Sequence, residues 1–145
     1  MKSMSFSRED CKYTKFNIEN HKIEFDVSGE HGVLISIPFT DDTPQCIKDK
    51  LNDIIYQGME EWSKTESDMD IPKSEKLLLC VRMQVLCHND EELSPQYYIS
   101  VVITDPIEYW VDIDKTVNIF SETSKFRNEF ISYCQWQLNK VLFPF

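Results

Sequence analysis

Glycine is nearly absent from this chain, three of 145 residues at positions 29, 32 and 58. That scarcity removes the raw material for a backbone cradle around phosphate. Neither Gly-x-Gly-x-x-Gly nor a Gly-rich loop ending in Lys-Ser/Thr occurs, and the Gly-x-Ser-x-Gly of a nucleophile elbow is also missing. Nucleotide chemistry of the usual kinds is therefore not expected. Histidine is equally sparse. His21, His31 and His88 sit in or beside turns, and no His-Glu-x-x-His or Cys-x-x-Cys pair exists. Cys87 and His88 are neighbours on an expected strand and point to opposite faces, which makes them poor ligands for one metal. No metal and no cofactor is expected.

No apolar run approaches the roughly 20 residues needed to cross a bilayer. The start, Met1 to Asp10, lacks the apolar core of a signal peptide, and the chain reads as cytoplasmic. The five cysteines, Cys11, Cys46, Cys80, Cys87 and Cys134, are an odd number set within apolar patterns. They read as reduced core thiols. A Cys80–His31 or Cys87–His31 pair could be assembled in space, but nothing in the sequence selects it.

What is present in excess is negative charge. Aspartate and glutamate number 25 against 15 lysines and arginines, a net charge of −10. Residues 41–114 hold 17 acids and 6 bases, whereas the flanking segments are close to neutral at −1 and +2. A field of this sign repels nucleic-acid phosphates and anionic lipid and attracts cationic partners. With 41% hydrophobic, 12% aromatic and 28% charged residues, the composition is that of a folded globule, expected as one α+β domain over residues 1–145.

The apolar periodicities predict the elements. Residues 12–19 and 22–28 flank Asn20-His21 and read as a hairpin, with Ile23, Phe25 and Val27 on one face of a half-buried second arm and Glu24 and Asp26 on the other. Val33–Ile37 reads as a third, more central strand. Thr43-Pro44 opens a helix over 44–64 whose stripe is Ile47, Leu51, Ile54, Ile55, Met59 and Trp62, with Gly58 admitting close approach to the sheet. Strands follow at 77–87, 96–104 and 107–113. Ser121 and Ser124 are candidate caps for a last helix reaching Leu142, with Phe126, Phe130, Ile131, Cys134, Leu138 and Val141 as its stripe. The order β-β-β-α-β-β-β-α and the short connections predict a twisted, mostly antiparallel sheet with both helices packed on one face. The other face, or an edge strand, is left to meet a partner.

One constellation stands out for binding. If Tyr109 faces the core, Trp110 lies opposite it among Glu108 and Asp112, with Asp114 following, and a tryptophan ringed by carboxylates suits a basic protein. Two acidic loops extend the candidate surface, Glu66, Asp68 and Asp70 in one and Asp90, Glu91 and Glu92 in the other. The plainer reading of Trp110 is a residue of a second small apolar cluster, and that of the acidic loops is solvated surface.

The β-rich start through Val33–Ile37, the helix after Thr43-Pro44, the acidic middle and the lack of catalytic motifs resemble the small acidic immunity proteins of bacterial contact-dependent and polymorphic toxin systems. The resemblance is one of general pattern. It implies a cytoplasmic protein without enzymatic activity that binds a cognate basic toxin domain, a nuclease for example, and blocks its active site. Three alternatives stand beside it: a phosphate-mimicking inhibitor of a nucleic-acid enzyme from a phage or mobile element, a secretion chaperone or assembly subunit, and a small ligand-binding domain or enzyme.

Overall fold

A computed structural model describes residues 7–19, 22–27, 32–65, 77–90, 92–104 and 112–142, with side chains undescribed at 62–65 and 112. The strands are β1 (Asn17–Glu19), β2 (Glu24–Asp26), β3 (Gly32–Pro38), β4 (Leu78–His88), β5 (Gln96–Thr104) and β6 (Asp112–Asn118). The helices are α1 (Gln45–Thr65), between β3 and β4, and α2 (Ser124–Leu142), after β6. The protein is thus an α+β fold in the expected element order. Its six-stranded sheet runs β2-β3-β4-β5-β6, with β1 pairing β4 off that path.

Strict alternation creates the sheet's core face. On β4 and β5, Leu79, Val81, Met83, Val85, Tyr97, Ile99, Val101 and Ile103 are buried, while the residues between them are half-buried. Strand β3 lies antiparallel to β4 with Ile35 opposite Val85 and Ile37 opposite Met83, so its apolar run is central as the sequence predicts. Gly32 opens β3 at φ 152°, and a Cβ there would stand 2.0 Å from the carbonyl oxygen of Cys87. Only glycine fits both the dihedral and the space.

The expected hairpin between residues 12–19 and 22–28 does not form. Strand β1 runs parallel to β4, with Ile18 opposite Leu79, and β2 instead pairs antiparallel with β3. The cause lies in residues 9–16, which fold into two 3₁₀ turns, Glu9–Cys11 and Tyr13–Lys15, bringing Cys11 and Phe16 into the core. The Tyr13 N–H donates to the Asn52 side chain on α1 at 2.8 Å, so the backbone there is committed to the helix and not to a ladder. Strand β2 is an exposed edge, with Phe25 47% and Val27 73% accessible, rather than the half-buried arm expected. Its Glu24 and Asp26 are charges of the kind that guard an open edge.

The last strand is displaced from its predicted place. The expected strand over 107–113 falls largely outside the described residues, and β6 continues to Asn118. Lys115 conceals that period. It is half-buried with its amino group 2.8 Å from Glu61, so a lysine stem occupies a position where alternation asks for an apolar residue.

The chain divides into two compact units. The first comprises residues 1–19, 48–80 and 101–115, and the second residues 20–47, 81–100 and 116–145. In the first, Leu51, Ile54, Ile55 and Met59 form the buried stripe of α1. Gly58 faces β6 so closely that a Cβ would lie 2.8 Å from Cγ2 of Ile113, which bears out the close approach expected at this glycine. In the second, Phe130 and Cys134 of α2 are fully buried, and Phe130 meets Tyr97 edge to face at 6.3 Å. Val141, placed in the predicted stripe, is 50% exposed, and Ile131 and Leu138 are only half-buried.

The caps of α2 also differ from expectation. The Thr123 hydroxyl accepts the N–H of Phe126 at 3.3 Å, so Thr123 is the cap. Ser121 donates to the Asn118 carbonyl in the preceding turn, and Ser124 accepts from Arg127. Only two of the five thiols, Cys11 and Cys134, are core residues; Cys46, Cys80 and Cys87 are half-buried, and none of the five is in a disulfide.

Candidate interaction site

Most of the residues singled out for binding in the sequence fall outside the described residues. Trp110, Glu108, Glu66, Asp68, Asp70 and Glu91 lie outside the described residues. Asp112 opens β6, its side chain undescribed, and Asp114 follows it on the same strand, exposed, in the first unit. Asp90 and Glu92 are exposed in the second unit, on the loop after β4. Asp90 is a turn former there: its carboxylate accepts the Glu92 N–H at 2.9 Å and its carbonyl the Leu93 N–H at 3.0 Å. The acidic excess, concentrated along the sequence, is shared evenly in the fold. The first unit carries 15 acids and 10 bases and the second 10 acids and 5 bases, so each is −5.

A concave feature lies within the second unit. A groove of about 570 Å³ is lined by Asp42 and Pro44, from the loop between β3 and α1, and by Asn128, Glu129, Ser132, Tyr133 and Trp136 of α2. The α2 residues recur at intervals of three and four, which sets them on one stripe of the helix beside the buried one.

A polar cluster centred on the Tyr133 hydroxyl adjoins this groove. The Tyr133 hydroxyl accepts from Thr43 Oγ1 at 3.0 Å and from Gln137 Nε2 at 2.8 Å, and lies 2.9 Å from Thr40 Oγ1 and 3.4 Å from the Pro38 carbonyl. Thr43 Oγ1 in turn accepts the Thr40 N–H at 3.0 Å. Thr43 and Gln137 are buried, so each hydrogen bond replaces one that water would otherwise supply. Such a network fixes the loop bearing Asp42 against α2.

Glu129 and Trp136 give the groove its chemistry. The Cys46 thiol donates to Glu129 Oε2 at 2.6 Å. A thiol is a weak donor and neutralises no charge, so the carboxylate retains its demand for a stronger one. Trp136 is 43% exposed, its ring centroid is 6.0 Å from that of Tyr133, and Lys140 Nζ sits 3.4 Å from the indole centroid. That ammonium is in cation–π contact.

Sequence reasoning passed over this site because it followed the buried stripe of α2 and set the other residues aside as solvated. The readable signal was Glu129, Ser132, Trp136 and Lys140, a run at intervals of three and four that places acid, aromatic and base on one line. Among the described residues no group of three or more His, Cys, Asp or Glu side chains is placed to hold a metal ion, and no helix is long and apolar enough to cross a membrane. Comparison of the chain with protein-family models, with curated proteins and with solved structures returned no match.

Proposed function

We propose that this protein is a binding inhibitor, an immunity protein that neutralises a cognate basic toxin domain by covering its active site. The observation that carries the reading is that both units hold a net charge of −5 while a groove beside α2 pairs two carboxylates with an accessible tryptophan. Acidity of this extent accelerates encounter with a cationic surface, and an aromatic beside carboxylates supplies an anchor once contact is made. A nuclease is a fitting target, because an enzyme that cleaves nucleic acid presents a positive groove to its substrate.

The deciding experiment is capture on the immobilised chain from lysate of the source organism at graded salt, followed by assay of the captured protein. One basic protein should be retained at low salt, with association slowing at least about tenfold between 0.05 and 0.5 M salt. One equivalent of the chain should abolish that protein's activity. Recovery of a partner whose activity the chain leaves intact would overturn the inhibitor reading.

The groove also favours a second reading, a small ligand-binding domain. Its volume of about 570 Å³ lies in the range of small-molecule sites.

A further inference from the structure

We infer that the groove beside α2 is the docking point for an arginine side chain of a protein partner, the guanidinium lying along the Trp136 indole and donating to Glu129 and Asp42. The inference rests on the reading of the chain as a binder of a basic protein and names the chemistry of its anchor.

Charge decides the class of occupant. Asp42 is exposed at one wall and Glu129 stands half-buried at the other, held by a thiol. An apolar side chain seated here would desolvate both carboxylates without replacing their water, which is unfavourable. A cation compensates them.

Shape decides between the cations. The exposed part of Trp136 offers a flat apolar face, with the Tyr133 ring inclined 34° to it alongside. Guanidinium is flat and weakly hydrated, stacks on aromatic faces and presents N–H groups in a fork to carboxylates. An ammonium is a compact, strongly hydrated point charge. The indole already attracts a cation, since Lys140 lies over it one helical turn further along α2. The wall is also pre-formed, because the Tyr133 hydroxyl is held by Thr43 and Gln137, and little ordering remains to be done on binding.

Titration of the full ¹⁵N-labelled chain with N-acetyl-arginine amide tests the assignment, read on the Trp136 indole N–H signal as identified by Trp136→Phe. A saturable shift is expected, with N-acetyl-lysine amide at least about threefold weaker and the neutral isostere N-acetyl-citrulline amide without effect. Glu129→Gln should weaken the arginine probe about fivefold, as loss of a charge-assisted pair implies. Lys140→Gln should tighten it by removing a competing positive charge from the indole. The absence of a saturable shift, equal response to citrulline, or indifference to Glu129→Gln would each overturn the assignment. No partner protein enters this titration. Its failure alongside a salt-sensitive, neutralised partner would remove the groove and leave the inhibitor reading, and success alongside an unaffected partner would do the reverse.

Discussion

The two helices are secured by opposite means. In the first unit, α1 meets β6 through an absence, Gly58, which lets the helix backbone come so close to Ile113 that a methyl group would not fit. In the second, α2 is tied to the loop after β3 through a presence, the Tyr133 hydroxyl and its ring of buried polar partners. Dispersion contact tolerates sliding along a face, whereas a buried hydrogen-bond network is satisfied in one arrangement only. The network holds the loop and helix that line the groove in one arrangement.

Substitutions at the two contacts should separate these modes. The largest effect is expected of Gly58→Val, which drives a branched Cβ into Ile113 and should cost about 3 kcal/mol in urea unfolding. Ile113→Ala in the same chain should recover part of that loss, as coupled neighbours do. If Gly58→Val left the midpoint unchanged, the close approach would not be a packing constraint. Tyr133→Phe removes one oxygen and leaves Thr43 and Gln137 without their principal partner, and should cost about 2 kcal/mol. A companion Thr43→Val should then cost less in the Phe background than in the parent. Additive losses would show that the hydroxyls do not act as one network.

The effect absent at neutral pH uses one buried thiol from each unit. Burial pushes Cys134 up to about 12. It also pushes Cys11 up to about 11, with the Asp10 charge adding to the rise and Arg8 opposing it. Both folded values lie above the 9.0 of an exposed thiol. Their contribution to stability is therefore complete below pH 9 and is lost as pH rises through the folded values, because the unfolded thiols ionise first. Stability should decline above pH 9, by at most about 1.4 kcal/mol per pH unit per thiol, and Cys134→Ala should flatten that decline. At pH 8 an aromatic disulfide reagent should leave Cys11 and Cys134 unmodified in the native protein and modify them after unfolding. Ready modification of Cys134 in the native state would place it outside the core.

Wherever side-chain period and burial coincide, the fold is legible in the sequence. The stripe of α1, its glycine, and the alternations of β4 and β5 all follow from spacing alone, because each of those elements buries one face along its length. Legibility fails where a single residue answers to two demands. Lys115 holds an alternating position with its stem and an ion pair with its amino group, and so hides the end of β6. Residues 12–16 have strand-like composition, but the Tyr13 N–H is spent on Asn52, a partner that local pattern cannot reveal. The parallel pairing of β1 with β4 depends on residues far apart along the chain, which no window of sequence contains. The groove was hidden for a related reason, since Asp42 and Glu129 belong to separate segments and only the fold brings them to one cleft. The candidate Trp110 surface, by contrast, was read from a single segment, and most of that segment lies outside the described residues.

The division of the chain into units drawn from three separate segments each bears on how the protein is made. Residues 101–115 complete the first unit and residues 116–145 the second, so during synthesis neither can close until its own closing segment has left the ribosome. The pairing of Ile18 with Leu79 closes a loop of about 60 residues, and non-local contacts of this kind slow folding more than they weaken the finished structure. Until α2 arrives, Tyr97 lacks the Phe130 ring that meets it edge to face, and the nascent protein is open to aggregation and proteolysis in the interval before residues 116–145 emerge.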